Sequence, residues 1–232
     1  MTYEIKGLPM PVVICHLKEN EAMICKSGAM SWMSPNMQLE TLNGSLAELA
    51  SSLIFGEVVF QNRYVSHEGE GMVAFASNQP GEILALDISP DAPMICRDGA
   101  FLAASEDVEM DDYAPEELNA GFFLGKAIEL QKMSGSGTVF LAVDGCTVEY
   151  TLEAGQQMVV DPAHIAMVDA NVKMSLREVE GLKNQLFSGE RPFLIALTGP
   201  GRVILQTMPM PVFAKVINSA DSGEEHEEQE EK

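Results

Sequence analysis

Basic side chains are scarce in this chain: 14 Lys and Arg stand against 35 Asp and Glu, a formal net charge of −21 over 232 residues. Nucleic-acid binding draws most of its affinity from Lys and Arg neutralising phosphates. Docking on an anionic bilayer needs the same charges. Both partners are therefore excluded as expectations. No apolar run approaches the roughly 18 residues that a membrane-spanning helix needs. The opening Met1-Thr2-Tyr3-Glu4-Ile5 lacks a basic region leading into an apolar stretch, so no secretory signal is read there. These absences predict a cytoplasmic protein.

The residues of common catalytic and metal chemistry are equally thin. Metal centres need several convergent ligands, but His16, His67, His164 and His226 are scattered and no His-x-His occurs. No metal, cofactor or catalytic residue is therefore assigned. A serine nucleophile elbow, Gly-x-Ser-x-Gly, is missing; Ser134-Gly135-Ser136-Gly137 has neither its third spacing nor its helix. Cys15 and His16 are adjacent, so on a strand they point to opposite faces and form no nucleophile–base couple. The expectation is a protein that is not an enzyme.

What the chain does have is internal repetition, which decides architecture before side-chain chemistry does. Met23-Ile24-Cys25-Lys26-Ser27-Gly28-Ala29 returns as Met94-Ile95-Cys96-Arg97-Asp98-Gly99-Ala100, and more weakly as Met158-Val159-Val160-Asp161-Pro162-Ala163. A Gly-x-Gly follows in each copy: Gly69-Glu70-Gly71, Gly135-Ser136-Gly137 and Gly199-Pro200-Gly201. From Met94 and Met158 onward, the second and third copies align at a constant offset of 64 as far as Leu141 and Leu205. The offset between the first and second copies shrinks from 71 to 69 to 66. The Gly-x-Gly triplets lead into strands rather than opening a helix, so they read as turns and not as phosphate cradles.

Thr147-Val148-Glu149-Tyr150-Thr151-Leu152 alternates strictly, with Val148, Tyr150 and Leu152 on one face. Its counterpart is Ile83–Ile88, and Leu17 stands where Ile88 and Leu152 stand. Polar turns follow, and the strand bearing Met23, Met94 or Met158 then returns, which predicts a hairpin opening each copy. A second hairpin is predicted around each Gly-x-Gly, with glycine supplying positive φ at both turn positions. Helical turns are expected only at Gly44–Ser52 and Glu178–Phe187. The fold class is thus all-β: three tandem sandwich-like units at 1–78, 79–142 and 143–212, related by pseudo-threefold symmetry and packed without linkers. Residues 213–232 form a C-terminal segment ending in the acidic run 221–232, which has no apolar residue to offset ordering entropy and reads as a disordered, solubilising tail or a dock for a basic partner.

Cys25 and Cys96 occupy the position held by Val160 in the third copy, which marks them as small buried hydrophobes rather than disulfide partners. Met23, Met94, Met158, Met110 and Met174 also recur at equivalent positions and are assigned to the core. Trp32, the only tryptophan, corresponds to Ala103 and Met167; it fills core or anchors an interface. Met208-Pro209-Met210-Pro211 is expected at an exposed or inter-subunit edge.

An ordered set of landmarks resembles a known family. They are Gly28-Ala29-Met30-Ser31-Trp32-Met33, Phe55-Gly56-Glu57, Gln79-Pro80-Gly81-Glu82-Ile83, Phe101-Leu102-Ala103, Val160-Asp161, Gly189-Glu190 and Gly199-Pro200-Gly201-Arg202-Val203. The chain is similar over about residues 3–212 to bacterial members of the altered-inheritance-of-mitochondria family, a domain of unknown function. The resemblance implies β units like those of the tryptophan-RNA-binding attenuator protein, three to a chain, assembled as trimers. It supplies no catalytic or binding residues. No Lys/Arg ladder recurs in the three copies: Lys26 and Arg97 match, but Asp161 takes the third position.

The expected function is a non-catalytic oligomeric β scaffold or interaction protein. The alternative is a regulator holding small ligands between adjacent β units. A homotrimer is expected because an open arc of three units leaves an apolar sheet edge at each end, and such edges are usually covered.

Overall fold

The computed structural model describes residues 1–41, 61–115, 129–178, 193–210, 212–214 and 217. Their regular structure is nearly all β-strand, in keeping with the all-β expectation. The first seven are β1 (Thr2–Lys6), β2 (Val12–Leu17), β3 (Ala22–Lys26), β4 (Met30–Met33), β5 (Met37–Thr41), β6 (Gln61–Ser66) and β7 (Gly71–Ala76). Next come β8 (Gly81–Ile88), β9 (Met94–Arg97), β10 (Phe101–Ser105), β11 (Val108–Tyr113), β12 (Leu130–Gly135) and β13 (Gly137–Asp144). The last six are β14 (Thr147–Leu152), β15 (Gln157–Val160), β16 (Ile165–Asp169), β17 (Lys173–Glu178), β18 (Phe193–Thr198) and β19 (Gly201–Gln206). A 3-10 turn, Pro162–His164, sits between β15 and β16, with the Asp161 side chain accepting from the Ala163 amide. The stretch Gly44–Ser52, the acidic run 221–232 and all of Glu178–Phe187 except the last residue of β17 lie outside the described residues.

Four antiparallel sheets result, ordered β1-β2-β7-β4, β5-β6-β3-β10-β13-β8, β11-β12-β9-β16-β19-β14 and β15-β18-β17. One pairing order occurs three times: β2-β7-β4, β8-β13-β10 and β14-β19-β16. A second also does: β5-β6-β3, β11-β12-β9 and β17-β18-β15. The two six-stranded sheets each join the second kind of triplet to the first kind of the stretch that follows. Their seams are β3 on β10 and β9 on β16. Strands from either side of residue 78, and again of residue 142, thus share one hydrogen-bonded sheet.

This corrects the hairpins expected from the sequence. β2 pairs with β1 and β7, not with β3, and β8 pairs with β13, not with β9. Across the Gly-x-Gly turns, likewise, β6 and β7 belong to different sheets, as do β12 and β13 and β18 and β19. Each turn is a corner where the chain changes sheet. The reason lies in strands such as Met94-Ile95-Cys96, whose residues are all buried and therefore need an apolar layer on both faces. A hairpin folded back in the plane of its own sheet covers neither.

Glycine at the corners serves two separate needs. Gly135 takes φ +92, a region that L side chains avoid. Gly71 has no positive φ; it is required because a Cβ there would lie 2.5 Å from both Met37 Sδ and Ser66 Oγ.

Three apolar cores lie between successive sheets. The first gathers Val13, Cys15, Cys25 and Phe75 with Ile83, Ala103 and Phe140. The second gathers Met94, Cys96, Val139 and Leu141 with Ile24, Met167 and Ile204. The third gathers Val160, Ile165, Met174, Ile195 and Leu197 with Ile95 and Leu130. Every core therefore takes side chains from strands on both sides of a seam. Met23, Met94 and Met174 are buried as expected, whereas Met110 and Met158 are half-buried against their cores. Among the described residues, no helix is long and apolar enough to cross a membrane.

Candidate functional site

The two seams show what a finished edge looks like. In the first, Ala103 faces Cys25 and Ala104 faces Ile24; in the second, Met167 faces Cys96 and Val168 faces Ile95. All eight residues are at most 3 % exposed. Arg63 on β6 braces the first seam, reaching Glu106 at 2.7 Å and Glu40 on its other side. Those two carboxylates, Glu106 foremost, push the Arg63 pKa above its ordinary value.

Among the described residues, the corresponding outer strands are unpaired at the same edge: β4 bonds only to β7, and β15 only to β18. β4 and β10 share one register to their neighbours, bulge included: Trp32 stands opposite Ala74 as Ala103 stands opposite Phe140. Trp32 is 46 % exposed and Met33 38 %, where Ala103, Ala104, Met167 and Val168 are fully buried. On β15, Val159 is 39 % exposed, against 3 % for Ile24 and 1 % for Ile95. Of the two readings of Trp32, core filling or interface anchor, its exposure disfavours core filling within the single chain: its strand has no neighbour on that side among the described residues. Within the chain these two edges do not meet.

Beside β15 an open cleft of about 390 Å³ is lined by Val148, Tyr150, Val160, Leu205, His164 and Thr207, among others. Val148 and Tyr150 are 41 % and 43 % exposed, although they sit opposite Leu205 and Val203 as the fully buried Val13 and Cys15 sit opposite Phe75 and Val73. Gln206, which lines the cleft, bonds in turn to Asp144, whose side chain is fully buried. Its carboxylate accepts from Arg97 Nη2 at 3.1 Å, from the Met210 amide at 2.9 Å and from Gln206 Nε2 at 3.4 Å. Met208-Pro209-Met210 is consequently not a free edge: Pro209 is buried and the two methionines are half-buried. The sequence signal for Asp144 is its position, an acid where the preceding copy has Pro80.

The histidines are not brought together. His16 is exposed, 3.7 Å from Glu4; His67 lies past the end of β6; His164 Nδ1 is 2.7 Å from the Gln206 carbonyl oxygen. His226 lies outside the described residues. Among those described, no three His, Cys, Asp or Glu side chains are grouped as metal ligands. Cys15 is buried and His16 exposed, on opposite faces of β2.

All four cysteines are free thiols, three buried and Cys146 exposed. Burial pushes the Cys15, Cys25 and Cys96 thiols up to about 12. Thiolate is the reactive form, so an Ellman titration of the native chain is expected to register Cys146 alone, with the other three appearing in denaturant. More than one fast-reacting thiol in the folded state would contradict this burial.

The family model for mitochondrial biogenesis AIM24 matches residues 3–208, nearly all of the chain outside the C-terminal segment. The chain belongs to the AIM24 family. An uncharacterised protein from Streptococcus pyogenes serotype M6 is 26 % identical over 220 residues, covering 90 % of this chain and 86 % of its own length. A crystal structure of a Streptococcus pyogenes protein superposes with a TM-score of 0.76 at 23 % identity, over 94 % of this chain and 99 % of that one. This AIM24 chain therefore shares its fold with a solved bacterial protein. The span of the family match takes in both exposed edges, the cleft and Asp144 alike.

Proposed function

We propose that this AIM24 chain is a non-catalytic scaffold that assembles head to tail, its three β units at 1–78, 79–142 and 143–212 related by a pseudo-threefold axis. The observation that carries the reading is the pair of finished seams beside a pair of unfinished ones. β4 carries the half-seam that β10 and β16 complete on β3 and β9, and β15 carries the other half. Joining β15 of one copy to β4 of the next produces a seven-stranded sheet, β17-β18-β15 with β4-β7-β2-β1, that repeats the order of the two six-stranded sheets and adds β1 at its end. Such a contact is heterologous, and it stays finite only if the ring closes. Three chains per ring is the assembly the family resemblance implies, and its mass would be about three times 25.2 kDa. Four unpaired thiols suit the reducing cytoplasm.

Sedimentation velocity at micromolar concentration tests the reading: the expected result is one species near three chain masses, dissociating on dilution. A species of 25 kDa at every concentration would overturn it. The alternative, a regulator that holds small ligands between units, draws on the cleft with its polar rim of His164 and Thr207. Native mass spectrometry separates the two, because a retained small molecule on protein purified from cells would favour the regulator.

A further inference from the structure

We propose that the cleft of Val148, Tyr150, Val160 and Leu205 is the socket for Trp32 of a second copy of this chain. The inference rests on the head-to-tail reading and adds a specific anchor to it. The first core supplies the template. There Val13, Cys15, Cys25 and Phe75 hold the positions that Val148, Tyr150, Val160 and Leu205 hold in the third unit. All four are fully buried because the following unit inserts Phe140 and Ala103 among them. The second core repeats the insertion, with Ile204 and Met167 beside Cys96 and Leu141, while the counterparts of Val148 and Tyr150 there, Leu84 and Leu86, are half-buried against it. The third core has no following unit, and there the equivalent side chains open into a cleft.

The inserted pair is a cross-strand couple in each case. It is Phe140 with Ala103 at the first seam and Ile204 with Met167 at the second. At the free end of the chain it is Ala74 with Trp32. The bulk is exchanged: the aromatic ring moves from the central strand to the edge strand, and alanine takes the place it leaves. Relative to the first seam a large and a small residue are kept, and the second seam fills the slot with the two side chains of Ile204 and Met167 instead, so each couple can fill one slot, as close packing requires. Trp32 needs such a slot, since it is half exposed on an unpaired edge. The socket also has an aromatic wall to offer. At the first seam Phe140 meets Tyr3 edge to face, with ring centroids 5.0 Å apart. In the third unit Tyr150 brings an aromatic ring onto the strand itself, where Cys15 stands in the first. By the seams, Trp32 falls opposite Val160, and Met33 opposite Val159. A buried tryptophan in a pocket at the centre of a contact is the usual form of an interface anchor.

Because Trp32 is the only tryptophan, the intrinsic fluorescence of the full chain reports this site alone. Emission is followed with acrylamide quenching from nanomolar to tens of micromolar protein, alongside sedimentation. The expected result is a blue shift and loss of quenching that track association. Tyr150→Arg, at a position exposed in the single chain, is expected to move the association midpoint up by about 30-fold or more. Trp32→Ala is expected to do the same by sedimentation. Circular dichroism confirms that both variants keep the wild-type fold. Assembly that leaves Trp32 fully quenchable, or a wild-type midpoint in Tyr150→Arg, would overturn the socket and leave the head-to-tail reading standing. A chain that never associates would overturn both.

Discussion

Asp144→Ala is expected to lower the free energy of unfolding by about 3–5 kcal/mol, the range for removing one partner of a buried ion pair. The Asp144 side chain is fully buried and touches three donors, so its loss strands more than a charge. Arg97 is left with only partial access to water, at 20 % side-chain exposure. The Gln206 amide keeps the Ala163 carbonyl at 2.8 Å, but the Met210 amide loses its acceptor. These groups tie the end of β13 to the end of β19 and to the segment that follows it. Asp144→Asn keeps an acceptor for Met210 while removing the charge, so its cost is expected to fall well below that of alanine. Urea unfolding at one fixed protein concentration measures both, because the proposed self-association would also contribute to apparent stability. A loss below about 1 kcal/mol for Asp144→Ala would show that this network does not hold the region.

The second large effect concerns the edges. Met33→Lys and Val159→Lys are each expected to weaken self-association by 100-fold or more, on the order of 3 kcal/mol. In the single chain both side chains reach water, so a lysine costs the fold little, within about 0.5 kcal/mol. In a completed seam their counterparts, Ala104 and Val168 on one side and Ile24 and Ile95 on the other, are at most 3 % exposed. A charge placed there must be desolvated without a partner, and edge lysines are a common natural block to strand pairing. Unchanged sedimentation of both variants would place any assembly contact elsewhere. A matching loss of monomer stability would mean that the two positions matter to the fold instead.

The sequence carried much of this plan. Alternating strands and frequent turn glycines made the all-β class legible, and the exchange of Cys25, Cys96 and Val160 marked them as apolar interior. What alternation cannot state is which strand lies beside which. Val148-Tyr150-Leu152 and Ile83–Ile88 show the same period of two whether they pair with the next strand or with a distant one. The hairpins failed for that reason: the choice between them and corners is made by burial on both faces, a tertiary property. Trp32 was ambiguous for a related cause. Its period and register are those of Ala103, and only the missing neighbour on β4 turns a core position into an exposed one. The cleft was hidden too, since Val148 and Tyr150 read as ordinary core until their fully buried counterparts, Val13 and Cys15, are set beside them. Asp144 could have been seen, as an acid standing where the preceding copy has proline.

The central claim is that one copy completes the next in the register of the internal seams. Engineered cysteines test it most directly. In a Cys146→Ser background, Met33→Cys and Val159→Cys in the same chain are predicted to face each other across two copies, as Ala104 faces Ile24 and Val168 faces Ile95. Facing pairs on antiparallel strands bring Cβ atoms to about 4.5–5.5 Å, within reach of a disulfide after small adjustment. Oxidation at micromolar concentration, followed by non-reducing electrophoresis, is predicted to give covalently linked chains ending in a closed trimer. Each single-cysteine variant is predicted to give no such product. A product confined to single chains, or no cross-link in protein that still sediments as an oligomer, would contradict the account.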